Sequence, residues 1–199
     1  MALDTYSNLK TSVVSWSKRS DSASFIDDFI AMTESEVWKR LRIRDMEATA
    51  LATASSKDIA LPAGFIEMRR LRALSGGEYY SVQYVAPNTL SNQNDSGIPS
   101  SYTITNQVNF DRATDHQFEM QYYRELTGLS SGNASNSVLS RLPNVYLYGC
   151  LWALWQWAMD EQKSEFYYGK FIREIDSANK ADTSGRYSNP RMRTAGSTP

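Results

Sequence analysis

The residues of this sequence able to do chemistry are few, and each sits in a pattern with a plainer reading. Asp111, Asp115, His116 and Glu119 form one cluster of acid and imidazole. A hydrolase would use such groups as a general base and the partner that orients it. No nucleophile elbow, Walker loop or dinucleotide-binding glycine pattern accompanies them, and they fall where a turn between strands is polar anyway. Cys150 and His116, the one cysteine and the one histidine, could make a thiol–imidazole pair. Cys150, however, lies in the most apolar run of the chain, where a buried structural thiol is the commoner role. These counts also exclude an internal disulfide and a Cys/His zinc site. The sequence assigns no catalytic residue and no metal ligand, and it calls for no cofactor.

Charge and aromatic runs offer binding chemistry instead. Lys39, Arg40, Arg42 and Arg44 have the look of a phosphate stripe, but cations at a helix C-terminus answer to the macrodipole. Arg69, Arg70 and Arg72 form a second basic run that could face a polyanion or a partner's acids. Trp152, Trp155 and Trp157 could stack on bases. Helical spacing places Trp152 and Trp155 in a core and leaves Trp157 for a neighbouring helix or subunit. Over 199 residues, Lys+Arg 21 against Asp+Glu 22 gives a net charge of -1. No global field therefore draws the chain to nucleic acid or an anionic membrane. A content of 41% hydrophobic and 22% charged residues is that of a folded globular protein.

Positioning these residues requires an α+β arrangement. Leu9, Val13 and Trp16, behind a cap at Asp4 or Thr5, predict a helix over 4–18. Ile26, Phe29, Ile30, Thr33, Val37 and Leu41 predict a second over 24–43, with Ser24 and Asp27 as an approximate capping box. Pro143 opens a third over 143–160, with Tyr148, Trp152, Trp155 and Met159 on one stripe. Tyr168, Phe171, Ile172 and Ile175 predict a fourth over 164–180. Between them lies a β-rich insertion, 46–125. Thr49 to Ala54 and Asp58 to Leu61 suit a hairpin around Ser55-Ser56. Phe65 to Leu74 fits a short helix or, in its second half, a strand, and Glu78 to Val85 a strand. A loop at Thr105 to Gln107 pairs Ile104 with Val108 and Tyr102 with Phe110, all on one face, and Phe118, Met120 and Tyr122 share a side of a further strand. Pro87 to Ser101 and Thr127 to Ser140 read as exposed loops. The expected organisation is one domain, 1–183, in which N- and C-terminal helices pack together as a bundle and present the β-rich insertion, followed by an extended tail, 184–199. Met1-Ala2-Leu3-Asp4 lacks the charged and apolar regions of a signal peptide, so secretory export is not expected. Val145 to Met159 is too short to span a bilayer.

The order of these segments resembles the head-to-tail adaptor (connector) proteins of tailed bacteriophages. The resemblance rests on Tyr6, Leu9 and Trp16, the Phe25 to Arg44 helix, Leu61-Pro62-Ala63-Gly64-Phe65 running into Arg69-Arg70-Leu71, Gly97-Ile98-Pro99-Ser100-Ser101-Tyr102, and the helix start Leu142-Pro143-Asn144-Val145-Tyr146-Leu147-Tyr148-Gly149. It departs from the family after Phe110, where Asp111-Arg112 stands in place of a frequent proline. The resemblance implies a structural virion protein of the head–tail neck, assembled in the host cytoplasm. It implies a homo-oligomeric ring, typically of twelve subunits, and partners in the portal protein and in a tail or nozzle protein. Genomic DNA would pass through the channel without sequence-specific binding, and no membrane is involved. It also implies a C-terminal segment that reaches into the portal, which places Arg186, Tyr187, Pro190, Arg191, Met192 and Arg193 at the docking contact. Ring seams would use exposed aromatics such as Trp38, Trp157 and Tyr167. Asn92, Gln93, Asn94 and Asp95 would meet the tail side or a neighbour, and Arg69, Arg70 and Arg72 the channel or a partner. The competing readings are another virion assembly component, such as a tail-completion protein, and a DNA-binding module.

Overall fold

The computed structural model describes residues 3–187, which divide into two compact units. One comprises the chain up to Asp45 and from Thr127 onward, the other Met46–Leu126.

The first unit is helical. Thr5, in extended conformation, caps α1 (Tyr6–Ser17) by accepting from the Asn8 N–H at 3.3 Å, and Lys18 ends it in the left-handed region. A 3-10 segment, Ser20–Phe25, leads into α2 (Ile26–Arg40). Ser24 lies inside that segment and no side chain caps α2, which corrects the expected capping box. The ends of α2 are nonetheless matched to its dipole, with Asp27 and Asp28 in the first turn and Lys39 and Arg40 in the last. Its expected face, Ile26 to Leu41, is wholly buried. Asn136 caps a short helix, α3 (Ser137–Arg141), by accepting from the Leu139 N–H at 2.9 Å. This helix was not expected within the polar stretch Thr127 to Ser140.

Pro143 opens α4 (Pro143–Trp157) at its first position, and α5 covers Glu161–Tyr187. α4 is buried nearly all round and packs on α1, α2 and α5. Gly149 makes that approach possible: a Cβ there would lie 2.3 Å from Thr33 Cγ2 and 3.1 Å from the Phe171 ring. Met159, expected on the core stripe, is 90% exposed, because α4 stops at Trp157 and Met159 turns the chain with φ 58°. Trp16, expected on the apolar face of α1, is 51% exposed and reaches only the edge of Tyr148.

The second unit is two four-stranded sheets around one apolar core. Its strands are β1 (Glu47–Thr53), β2 (Ser56–Ala60), β3 (Phe65–Ser75), β4 (Glu78–Ser81), β5 (Gln83–Tyr84), β6 (Ser101–Ile104), β7 (Gln107–Thr114) and β8 (Gln117–Arg124). Sheet one has the order β1-β8-β3-β4 and sheet two β2-β7-β6-β5. Tyr102 pairs with Phe110 and Ile104 with Val108, in the expected register. Phe110 of sheet two stacks on Phe118 of sheet one at 4.4 Å.

Two expectations give way here, and one open alternative is decided. β1 and β2 are not a hairpin: β1 pairs with β8 and β2 with β7, and the chain turns the corner between sheets at Ser56, φ 67°. β3 is a strand. Its two register shifts, at Phe65/Glu67 and Met68/Arg70, each insert one residue, so Phe65, Met68 and Leu71 all meet the core at a spacing of three. That spacing imitates a helix. Residues 78–85 form two strands, because Val82 turns inward and hands the chain from sheet one to sheet two.

Candidate assembly surfaces

The structure divides the acid and imidazole cluster, drawing Asp111 and Glu119 to other partners and leaving Asp115 beside His116. Asp111 is buried in β7 and accepts from Ser100 Oγ at 2.6 Å, whereas Glu119 lies on β8 and binds Arg72 at 2.5 Å. His116 sits between Ser75 Oγ at 3.2 Å and Thr114 Oγ1 at 3.1 Å, and Asp115 is fully exposed in the turn. Asp115 Oδ1 lies 3.5 Å from His116 Nδ1, so a hydroxyl, the imidazole and a carboxylate do adjoin at this turn, on the side chains of Ser75, His116 and Asp115. Cys150 is buried in the helical unit, where it accepts from Thr33 Oγ1 at 3.6 Å and burial pushes its thiol up to about 12. A thiol so far from ionising is a packing atom. Among the described residues no group of three or more His, Cys, Asp or Glu is placed to hold a metal ion, and no helix is long and apolar enough to cross a membrane.

The basic runs are spent locally. Lys39 and Arg40 bind Glu36, Arg42 donates to the Trp38 and Leu41 carbonyls, and Arg44 binds Asp182 at 2.8 Å. They satisfy the C-terminal end of α2 and tie it to α5. Asp182 also receives Arg186 at 2.6 Å. Burial pushes its carboxyl up, and the two arginines outweigh that and hold it below the usual carboxylate range. A cleft of about 230 Å³ beside these groups is lined by Arg44, Arg141 and Asp182 among others, with Arg141 bound to Asp45 at 2.7 Å, so its cations face acids already in place. In the β unit, Arg69 binds Glu47 and lies over the Tyr123 ring, and Arg72 binds Glu119 and lies 4.1 Å from the Tyr79 centroid. Only Arg70 of that run is exposed without an ion-pair partner among the described residues. One cation does not make a phosphate stripe.

The expected loops are also anchored. Beyond the end of β6, residues 93–97 take its place against β7: the Gln93 N–H reaches the Asp111 carbonyl at 2.7 Å and the Gly97 N–H the Ala113 carbonyl at 3.0 Å. Arg112 clasps Asp95 at 2.9 Å and Gln93 Oε1 at 3.0 Å, while Asn92 and Asn94 stay exposed. The stretch Thr127 to Ser140 is pinned rather than free. Glu34 of α2 accepts the Leu129 N–H at 2.7 Å and the Tyr146 hydroxyl at 2.9 Å, and Asn133 and Asn136 bond the Thr127 carbonyl. Burial pushes the Glu34 carboxyl up, against the pull of those two donors.

The aromatics expected at seams are partly enclosed. Trp38 is half-buried, Tyr167 packs between Tyr148 and Phe166, and Trp157, 38% exposed, leans on Phe25 and Phe29. Trp152 is half-buried and Trp155 buried. Large apolar groups that face outward include Trp157 together with Trp16, Phe25, Met32, Phe166 and Met159 on the helical unit, and Leu51, Tyr79, Tyr80 and Tyr84 on the β unit. For the strand residues the alternation of β1 carried the signal, since Ala48, Ala50 and Ala52 fill the inward positions and leave Leu51 outward.

α5 continues to Tyr187, past the expected end at 180 and past the expected start of the tail at 184. The Arg44 and Arg186 contacts to Asp182 hold its last turns. Arg186 and Tyr187 are thus helical, whereas Pro190, Arg191, Met192 and Arg193 lie outside the described residues.

Most of the charged groups on these surfaces are paired within the chain. A family model described as SU10 adaptor protein matches residues 4–194. The chain belongs to the SU10 adaptor protein family. It is accordingly a bacteriophage structural adaptor and a virion component, and the family is not a class of enzymes. Comparison with curated proteins gives no match. The family assignment agrees with the phage adaptor that the order of segments resembled, and the match takes in both compact units of the adaptor.

Proposed function

We propose that this adaptor joins head to tail: copies close into a ring, twelve by the resemblance, that docks beneath the portal, lines the path of the genome and carries the tail or nozzle. The observation that carries the reading is the extent of the family match, which spans both units and runs on through the C-terminal segment to residue 194. The electrostatics support it. A net charge of -1 and a basic run in which Arg69 and Arg72 are neutralised on their own sheet give duplex DNA few phosphate contacts, so DNA can pass without salt-dependent drag.

Docking falls to the segment after α5. Arg186 is committed to Asp182, which leaves Arg191 and Arg193 to meet acids on the portal, with Pro190 and Met192 as apolar contacts. Presented many times by a ring, a modest contact becomes a firm one. The test is a chain ended after Tyr187. It should fold and assemble as the full chain does, yet no longer bind purified portal, and undiminished portal binding would overturn the assignment of docking to this segment. A full-length ring that binds tail protein but not portal would make the adaptor a tail-completion protein instead.

A further inference from the structure

The borders of the two sheets differ in a way that points to a partner. Sheet two is blunted on both sides: β2 has a register shift between Ser56 and Asp58 and carries Lys57, and β5 is two residues long. Such devices keep a border strand from pairing with another chain. On sheet one, β4 is also short, at four residues, and β1 is the border strand that lacks them. β1 holds seven consecutive pairs with β8, Glu47↔Tyr123 to Thr53↔Gln117, and has no bulge, proline or lysine. The opposite border, β4, presents Tyr79 and Tyr80, 47% and 42% exposed.

The two borders fit each other. Every neighbouring pair in sheet one is antiparallel, so β1 and β4 run in opposite directions and a second β1 laid beside β4 continues the alternation. Ala54 donates to the His116 carbonyl, which makes Ala48, Ala50 and Ala52 the residues bonded to β8 and turns the backbone groups of Thr49, Leu51 and Thr53 outward. On the other border Gly76-Gly77 is a two-residue turn and Val82 donates to the Leu71 carbonyl, so Tyr79 and Ser81 turn theirs outward. The register places Leu51, Glu119, Arg72 and Ser81 on one face of the sheet. The outward-bonding residues of both borders therefore share a face, and joining them keeps the core side of one copy level with that of the next. On that core side, Tyr80 of one border is the bulky complement of the alanines of the other.

We propose that β1 of one copy adds to β4 of the next, head to tail, so that sheet one runs on from subunit to subunit. The inference rests on the ring reading for its closure. A symmetric β1–β1 pairing would stop at two copies and leave the tyrosine border bare.

The test uses full-length Leu51→Cys and Tyr79→Cys chains and a short bis-maleimide, with the buried, un-ionised Cys150 as a silent background. Cross-linked pairs should form when the two variants are mixed and not with either alone, and the chain carrying both cysteines should give a ladder of multimers. Leu51→Pro, whose lost N–H points away from β8, should keep the fold and weaken self-association by about tenfold or more. Leu51→Lys gives the same readout should proline disturb the strand. Pairs from Leu51→Cys alone would overturn the proposal in favour of β1–β1 contact. Ring particles that cross-link in no mixture would overturn this surface and leave the ring reading standing, and a chain that stays monomeric at every concentration would overturn both.

Discussion

The helical and β units solve the problem of burying apolar surface in opposite ways. In the helical unit a few contacts without slack set the geometry: Gly149 against Thr33 and Phe171, and Glu34 holding the Leu129 N–H and the Tyr146 hydroxyl. In the β unit the core is a layer of side chains between two sheets, and its open features are backbone borders. A tight interior makes small changes expensive for the fold. An open border makes them cheap for the fold and expensive for association. Stability and assembly should thus be separable by mutation in this adaptor.

The largest stability effect belongs in the helical interior. Phe171 is fully buried against the Trp152 ring at 6.1 Å, and Phe171→Ala should cost about 3 to 5 kcal/mol in a denaturant titration. A loss under about 1 kcal/mol would mean that the interior can collapse around the cavity and is not tight. Next comes Gly149→Ala, which forces a methyl onto Thr33 Cγ2 and should cost about 1 to 3 kcal/mol. Thr33→Ser removes that methyl but keeps the hydroxyl, so the double variant should recover part of the loss. If the two costs simply add, the close approach is not what fixes α2 against α4.

Glu34→Gln should be milder and depends on pH. The folded carboxyl titrates above its ordinary value because it is buried. A raised folded value makes the protonated form the one that folding favours, so its contribution is complete below the unfolded glutamate range and is lost as pH rises through the folded value. Thermal melts of the parent chain should show that loss on going from acid to neutral pH, and those of the Gln variant should not. The variant keeps an acceptor for both donors and should be at least as stable at neutral pH. A variant clearly weaker there would show that the charge itself holds the Thr127 to Ser140 stretch.

The smallest stability effect is expected at Leu51, 59% exposed on the border strand. Leu51→Lys should move unfolding by about 0.5 kcal/mol or less while association falls.

The same contrast decides what could be read before the structure. The helices were legible because their determinants are local: Thr5 as a cap, charges matched to the dipole of α2, Pro143 at the start of α4. The β6–β7 register was legible because one loop length puts all four apolar side chains on one face. Non-local choices were not. Nothing near Ser55-Ser56 distinguishes a hairpin from a corner between sheets, since the partners of β1 and β2 lie some sixty residues on. The bulges of β3 left its sequence open between helix and strand, and Asn136 hid a cap within polar sequence. The candidate surfaces fared similarly. The basic residues were seen, but not that Glu47, Glu119 and Asp182 would neutralise them from distant strands and helices.

Hydrogen exchange by mass spectrometry, on the full chain at dilute and at assembling concentrations, tests most directly whether the open borders carry assembly. Peptides covering Glu47–Thr53 and Glu78–Ser81 should be weakly protected when dilute and gain protection together on assembly. Those covering Ser56–Ala60, Gln83–Tyr84 and Pro143–Trp157 should not change. Assembly that protects the sheet-two borders or the helices, and leaves β1 and β4 exchanging as before, would contradict the account.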